Sequence, residues 1–147
     1  MSFPRGPRFT GMDYTLELVL IPVTDVDRAK EFYTDQMGFD LLVDTPIGPG
    51  KRIVQVTPPG SACSIGFGTG VTAAPPGSQQ GLHLVVSDIV EAHAELAGRG
   101  VEVGDVKHYD DGGWGAGPHP DRGDYMSFAE IADPDCNLWL LQEVHRA

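Results

Sequence analysis

The chain has few cysteines, few cations and no long apolar run. It contains two cysteines in 147 residues, and Lys and Arg number 10 against 21 Asp and Glu, so the formal net charge is −11. Affinity for a phosphate backbone depends on clustered cations, so nucleic acid is not an expected partner. In a reducing compartment Cys63 and Cys136 are expected to stay as separate thiols.

The missing apolar runs exclude two further kinds of segment. No stretch approaches the roughly 20 apolar residues of a membrane span. The N-terminus also lacks the apolar core of about 7–15 residues that a signal peptide requires. We therefore expect a cytoplasmic protein with no membrane partner and a flexible N-terminal arm over residues 1–12. The 19 glycines and 12 prolines indicate many turns and short strands.

A strand-to-helix pattern occurs twice, at an offset of 63 residues. Leu18–Asp25 and Gly81–Asp88 each read as an alternating strand that runs into Thr-Asp or Ser-Asp. Asp25 and Asp88 stand where helix N-caps are expected, because their side chains can accept from unpaired backbone N–H groups. Apolar residues at helical spacing follow both aspartates, so a helix is predicted after each.

Strands predicted after each helix complete two modules of the form βαβββ. The first half has candidate strands at Phe39–Val43, Arg52–Thr57 and Ser61–Gly68, and the second half at Val101–Val106, Tyr125–Ile131 and Asn137–Val144. Module one spans about 14–70 and module two about 81–145, with a Pro- and Gly-rich linker over about 70–80. The prediction is an α+β fold in one domain, residues 13–147.

These features together resemble the vicinal oxygen chelate superfamily, which includes glyoxalase I, bleomycin-resistance proteins and extradiol dioxygenases. The resemblance rests on the paired modules, on Pro22–Ala29 before an Ala/Phe/Tyr helix, and on Ala132–Glu143 with its Asp-Pro-Asp turn. It covers about Leu16 to Val144. It implies a cup formed by two curved mixed sheets, and a homodimer. Because such proteins catalyse different reactions or only bind ligands, the resemblance alone assigns no activity.

In metal-dependent members, the resemblance implies His, Glu or Gln ligands on strands that face into the cup. At those positions this chain has Leu18, Gly81 and Leu140, and none of these side chains binds a metal. We therefore expect no cofactor. The alternative is a divalent metal such as Zn, Ni, Mn or Fe at a relocated site that uses His83 and loop histidines. A separate candidate metal site lies within the glycine-rich segment and consists of His108, Asp110 and His119.

The Asp-Pro-Asp turn differs at one position from the turn of the superfamily that the chain resembles. Relatives usually carry glycine after Asp-Pro-Asp, whereas this chain has Cys136. A turn that needs a positive φ strains a non-glycine residue by about 1 kcal/mol. Either the turn is altered or Asn137 takes that conformation.

Two candidate ligand contacts follow from strand alternation. His83 shares strand parity with Gly81 and should face the cup, and Gln142 shares the parity of Leu140. Imidazole and carboxamide groups can orient a ligand by hydrogen bonding. The plainer interpretation of His83 is a half-exposed histidine on a strand.

Three further candidates come from the glycine-rich segment 105–124 and its flank. The segment is longer than most structureless connections, and we interpret it as a lid that lays Trp114 and Tyr125 over an apolar ligand, with His108 at the ligand's polar end. A solvated surface loop is the other interpretation.

Together these patterns favour a glyoxalase/bleomycin-resistance-like protein that binds a small organic molecule without the usual metal. The expected apolar walls are Leu18, Leu20, Val85, Leu138 and Leu140. The alternative is an enzyme, namely a metal-dependent lyase, isomerase or dioxygenase of the same superfamily. A non-catalytic interaction domain with a vestigial pocket is a third possibility. The cup lies either within one chain or across a dimer, and an acidic mouth would favour cationic ligands.

Overall fold

A computed structural model describes residues 11–146 and contains ten strands and two α-helices over that range. The expected N-terminal arm, residues 1–12, lies outside the described residues except for its last two. Within 11–146, neither helix is long and apolar enough to cross a membrane.

The first module follows the predicted order. Its elements are β1 (Leu18–Leu20), α1 (Val26–Glu31), β2 (Asp40–Gly48), β3 (Lys51–Thr57) and β4 (Ser64–Thr69). The helix continues as a π-helical turn over Phe32–Gln36. The sheet order is β1-β4-β3-β2, with β1 parallel to β4 and the other pairs antiparallel.

The second module repeats this plan with one added strand. Its elements are β5 (Leu82–Val86), α2 (Ile89–Gly98), β6 (Glu102–Val103), β7 (Lys107–Asp110), β8 (Gly113–Ala116), β9 (Ser127–Ala132) and β10 (Leu138–Glu143). The order is β5-β10-β9-β7-β8, and β6 also pairs with β9. Because β6 and β7 both pair with β9, together they take the place that β2 has in the first sheet. The prediction of two βαβββ modules is therefore confirmed, with β8 as an addition at the edge.

Both helices begin at the aspartates that the repeat singles out. The Asp25 side chain accepts a hydrogen bond from the backbone N–H of Arg28 at 3.1 Å. Asp88 accepts from the N–H groups of Val90 and Glu91, each at 3.1 Å. These bonds satisfy donors that have no partner within the first helical turn, so the predicted N-caps are confirmed.

The helix-covered faces of the two sheets share one hydrophobic core. Side chains no more than 2% exposed come from both sheets, and they include Val54, Val56, Phe67, Ala129, Ile131 and Leu141. Tyr33 lies among them, with its ring centroid 5.6 Å from that of Phe67 and 5.9 Å from that of Trp139. Because this core covers one face of each sheet, the opposite face of each sheet lies outside it. We call these the first and second helix-free faces.

A buried carboxylate joins the two modules beneath this core. Asp133 Oδ2 accepts from the Tyr33 hydroxyl at 2.7 Å and from Asn137 Nδ2 at 2.9 Å. Its Oδ1 accepts from the N–H groups of Asp135 and Asn137 at 2.9 and 2.8 Å. Asn137 Nδ2 also donates to the carbonyl of Pro22 at 2.8 Å. Burial, together with the nearby Asp133 charge, raises the pKa of the Tyr33 phenol, so it remains the donor.

The expectation of a loop over residues 105–124 is wrong in its first part. β7 and β8 pair there as a hairpin at the edge of the second sheet. The alternation is hard to see in the sequence because Gly113 and Gly115 carry no side chain on one side of β8. The strand predicted to begin at Tyr125 begins at Ser127, since Tyr125 has a φ of 66° that a strand does not allow.

The Asp-Pro-Asp-Cys turn keeps its form despite the missing glycine. Cys136 itself adopts a φ of 67°, and its N–H donates to the carbonyl of Asp133 at 2.9 Å. The alternative in which Asn137 takes the positive φ is wrong, because Asn137 is not among the positive-φ residues of the described chain. Cys136 is exposed, so the strain at this position is not offset by packing of its side chain.

We expect Cys136→Gly to raise the free energy of unfolding by about 0.5–1 kcal/mol, because glycine adopts a positive φ without the clash that a Cβ atom makes. Urea denaturation followed by tryptophan fluorescence measures the change. Cys136→Ala is the control, since it removes the thiol but keeps the Cβ. A glycine variant no more stable than the alanine variant would show that the turn stores no such strain.

Candidate functional site

The second helix-free face carries side chains from five paired strands. The register places His83 beside Leu140 and Leu140 beside Glu130, and it places Gln142 beside Phe128. Farther along the sheet Phe128 pairs with Lys107, and Tyr109 pairs with Trp114. We call this surface the aromatic face, defined by His83, Val85, Lys107, Tyr109, Trp114, Phe128, Glu130, Leu140 and Gln142.

Three aromatic rings cluster at the β8 edge of this face. The Trp114 ring lies 5.5 Å from that of Tyr109 and 5.6 Å from that of Phe128, both in edge-to-face geometry. Trp114 is 61% exposed and Tyr109 is 54% exposed. Contiguous aromatic surface of this kind is left in contact with water at binding sites more often than elsewhere.

Two opposite charges flank the rings. Lys107 Nζ lies 5.1 Å from the Trp114 ring centroid and 3.5 Å from Glu130 Oε1. A cavity of about 500 Å³ opens here, and its lining includes Lys107, Trp114, Glu130 and Asp105. The site therefore offers a flat apolar surface with a cation and two carboxylates beside it, which suits a ring-bearing ligand with polar substituents.

Two of the sequence-predicted contacts lie on the same face as Trp114. Gln142 is half-buried and His83 is exposed, and they come from β10 and β5 at the other side of the sheet. His83 Nδ1 lies 2.7 Å from the carbonyl oxygen of Gly81. Because that oxygen only accepts, Nδ1 carries the proton and Nε2 is left to face a ligand.

The other two predicted contacts are placed elsewhere. His108 lies between Lys107 and Tyr109 on β7, so its side chain is on the opposite face of the strand from theirs. Its Nδ1 is 2.9 Å from the carbonyl of Gly117. Tyr125 contacts the C-terminal segment, where its hydroxyl lies 3.5 Å from Arg146 Nη2. The structure does not bring either residue to Trp114, so the arrangement proposed for the lid is not the one observed.

The sequence reasoning missed the neighbours of Trp114. Phe128 and Glu130 alternate along β9, which is a signal that they share a face, but nothing in the sequence says that this face meets Trp114. The sequence does not indicate Lys107 and Tyr109, because the glycine-rich segment that contains them predicts a loop. Only the pairing of β7 with both β8 and β9 brings these side chains together.

The superfamily's metal positions can be completed from strand register. Leu20 pairs with Gly66 just as His83 pairs with Leu140, so Gly66 is the first-module counterpart of Leu140. The four positions are thus Leu18, Gly66, Gly81 and Leu140, and none has a side-chain donor. A Cβ atom on Gly66 would lie 3.2 and 3.3 Å from the side chains of Leu18 and Leu20. Leucine methyl groups fill the space beside this position, so the usual metal does not fit these residues.

The set His108, Asp110 and His119 is brought close together, but not as a metal site. His119 Nε2 is 3.8 Å from Asp110 Oδ2, and the two imidazole rings are 5.6 Å apart. His119 Nδ1 accepts from the N–H of Asp121 at 3.0 Å, which commits one ring nitrogen to the backbone. No group of three or more His, Cys, Asp or Glu within residues 11–146 is arranged to hold a metal ion.

A buried ion pair holds the strand that carries Gln142. Glu143 is fully buried, and Arg122 donates to both of its carboxylate oxygens at 3.0 and 2.7 Å. The N–H of Ile89 adds a third bond at 2.9 Å, and Arg122 also reaches the N-cap Asp88 at 3.0 Å. The guanidinium hydrogen bonds lower the pKa of Glu143 despite its burial. The loop before β9 is thereby fixed to the start of α2 and the end of β10.

Comparisons with known proteins identify one family and several similar proteins. The family model described as the Glyoxalase/Bleomycin resistance protein/Dioxygenase superfamily matches residues 13–141. The solved structure of TnmS3, an antibiotic binding protein from Streptomyces sp. CB03234, is 32% identical, with a TM-score of 0.72 over 93% of this chain and 100% of that chain. A glyoxalase/bleomycin resistance protein from the same organism is 34% identical, with a TM-score of 0.67 over 87% and 99%. YetH of Bacillus subtilis (strain 168) is 28% identical over 129 residues, which is 85% of this chain and 94% of YetH.

We expect Glu143→Gln to lower the free energy of unfolding at pH 7 by about 2 kcal/mol, because it leaves Arg122 without its buried charged partner. Since the folded-state pKa of Glu143 is lowered, its contribution is complete above the unfolded-state value and is lost as pH falls through the folded-state value. The native protein should therefore lose stability below about pH 4.5, and the variant should lose less. Urea denaturation at several pH values measures both effects.

Glu102→Gln is the matched control, because Glu102 is exposed on β6. Equal losses in the two variants, or identical pH profiles for Glu143→Gln and the native chain, would contradict a stabilising role for the buried pair.

Proposed function

The chain belongs to the glyoxalase/bleomycin resistance protein/dioxygenase superfamily, and from that membership we propose that it binds a small organic molecule against the aromatic face, without the superfamily's usual metal. The observation that carries this proposal is the aromatic cluster beside a cavity of about 500 Å³, in which Trp114 and Tyr109 are exposed and Phe128 is half-buried. The description of TnmS3 as an antibiotic binding protein supports the same class of ligand.

Each part of the aromatic face has a distinct role in this proposal. A flat ring of the ligand stacks on the indole of Trp114, where the large exposed area gives most of the affinity. Lys107 and Glu130 bind polar groups at the ring's margin. Leu140 forms an apolar floor, and the carboxamide of Gln142 fixes the ligand's orientation. The acidic balance of the chain favours a ligand with a positive charge.

We further propose that a second copy of the chain completes the cup. The apolar walls expected from the sequence divide between two surfaces: Leu18 and Leu20 lie on the first helix-free face, and Leu140 lies on the second. Each of these faces is on the far side of its sheet from the shared core. A site enclosed by both kinds of wall therefore needs one face from each of two chains. The small number of cysteines suits a reducing compartment, so a cytoplasmic location is also proposed.

We expect Trp114→Ala to weaken the binding of proflavine, a flat organic cation, at least tenfold, because it removes the stacking surface. Isothermal titration calorimetry is the appropriate measurement, since it does not depend on the tryptophan signal. Tyr14→Ala is the control, as Tyr14 is an aromatic side chain that is 83% exposed outside the aromatic face. Unchanged affinity in Trp114→Ala, or an equal loss in both variants, would overturn the proposed site.

Light scattering tests the proposed pairing of two chains, and it should give a mass of about twice the 15.8 kDa of one chain. Leu20→Asp should reduce it to the monomer mass, because a carboxylate on the first helix-free face would be buried in the pair. Val90→Asp, on the exposed side of α2, should leave it unchanged. A native chain that runs as a monomer would contradict the pairing but not the ligand site, and circular dichroism checks that Leu20→Asp is folded.

A further inference from the structure

A second cavity, of about 450 Å³, lies at the opposite edge of the second sheet from Trp114. It is bounded by β5 on one side and on the other by the turn between β3 and β4, and we call it the β5 pocket. Four polar residues line it: Ser61, His83, Ser87 and Arg146. β5 and β8 are separated by four interstrand spacings, about 19 Å, so this pocket is distinct from the cavity at Trp114.

The charge of the pocket is opposite to that of the chain. The net charge is −11, yet none of the described residues that line the pocket is Asp or Glu. Random placement of acidic residues on so acidic a chain would be expected to put carboxylates around most cavities. A cavity with an arginine and two hydroxyls, and with no carboxylate among its described lining, favours an anion.

Arg146 is the cation available to such an anion. Arg52, Arg99 and Arg122 each pair with a carboxylate at 3.0 Å or less. The guanidinium of Arg146 has one hydrogen-bond partner within residues 11–146, the hydroxyl of Tyr125 at 3.5 Å. Most of its five donors therefore remain for a ligand, in the forked geometry that matches a carboxylate.

The exposed edge of β5 supplies a backbone donor beside it. The carbonyl of Val86 accepts from the N–H of Val144 at 3.0 Å, so Val86 directs its backbone groups toward β10. In a parallel ladder the intervening residue directs its N–H the other way, and for Val85 that direction is the edge of the sheet that residues 11–146 form. Val85 also lines the pocket. An unpaired edge N–H of this kind is a ready hydrogen-bond donor.

The remaining lining is apolar and limits the kind of anion. Pro58, Pro59 and Val144 contribute hydrocarbon surface. One guanidinium balances one negative charge, whereas a doubly charged phosphate would be left partly unpaired next to apolar groups. We propose that the β5 pocket binds a small organic monocarboxylate, with its carboxylate on Arg146 and the N–H of Val85 and its apolar part against the prolines.

This proposal is independent of ligand binding at Trp114, and phenylacetate tests it. Titration of isotopically labelled protein, followed by amide NMR shifts at constant ionic strength, should move the signals of Ser61 and Val85. Phenylacetamide has the same shape without the charge and should bind at least tenfold more weakly. Arg146→Gln should weaken phenylacetate at least tenfold, while the control Lys51→Gln, at an exposed lysine outside the pocket, should not.

The variant Trp114→Ala separates the two sites. Phenylacetate affinity that is unchanged in Trp114→Ala and reduced in Arg146→Gln would support the β5 pocket. Equal binding of acid and amide, full affinity in Arg146→Gln, or no shift at Ser61 and Val85 would overturn it. Shifts confined to the surroundings of Trp114, lost in Trp114→Ala, would overturn the β5 pocket while supporting the aromatic face.

Discussion

The carboxylate of Asp133 is the interaction on which the rest of the structure depends. It is buried, and four donors from Tyr33, Asp135 and Asn137 satisfy its two oxygens. A buried carboxylate without these donors would cost several kcal/mol. The Asp-Pro-Asp-Cys turn and the helix that carries Tyr33 can therefore pack together only in the arrangement that supplies all four donors. That arrangement brings the first module's helix onto the second module's last strand. The register of β10, and with it the positions of Leu140 and Gln142, follows from the turn that Asp133 begins.

The shared core explains why the chain has two open faces. Each sheet has one face that helices cover, and both covered faces meet in the cluster around Tyr33 and Trp139. The residues of the opposite faces are therefore not constrained by packing in this core. They differ in character: leucine side chains fill the space over Gly66 on the first face, while aromatic and charged residues occupy the second. In the proposed pair, the first module of one copy forms the apolar wall and the second module of the other copy carries the ligand-binding face.

Local patterns were enough to predict the modules, the N-caps and the direction of two site residues. Asp25 and Asp88 act on backbone groups two or three residues away, and the parity of His83 and Gln142 depends only on strand alternation. The cluster around Trp114 could not be predicted from the sequence, because it depends on which strands become neighbours in the sheet.

The Arg122–Glu143 pair was also missed, for a related reason. It joins a loop to the end of a strand 21 residues later, and no periodicity connects them. Glycine concealed the β7–β8 hairpin, since a strand with hydrogen atoms in place of half its side chains shows no alternation. Contacts between distant segments are thus where the sequence pattern carries least information.

The strand β8 lies at the outer edge of its sheet, and β7 is the one strand that it pairs with among residues 11–146. It nevertheless carries Trp114, the largest exposed ring of the candidate site. In the proposed site, the ring that contacts the ligand is therefore separate from the residues that stabilise the fold. Under the proposed function, substitutions along β8 change the molecule that is bound while the core and the buried carboxylate stay intact, which makes this hairpin the natural position for altering specificity by directed evolution.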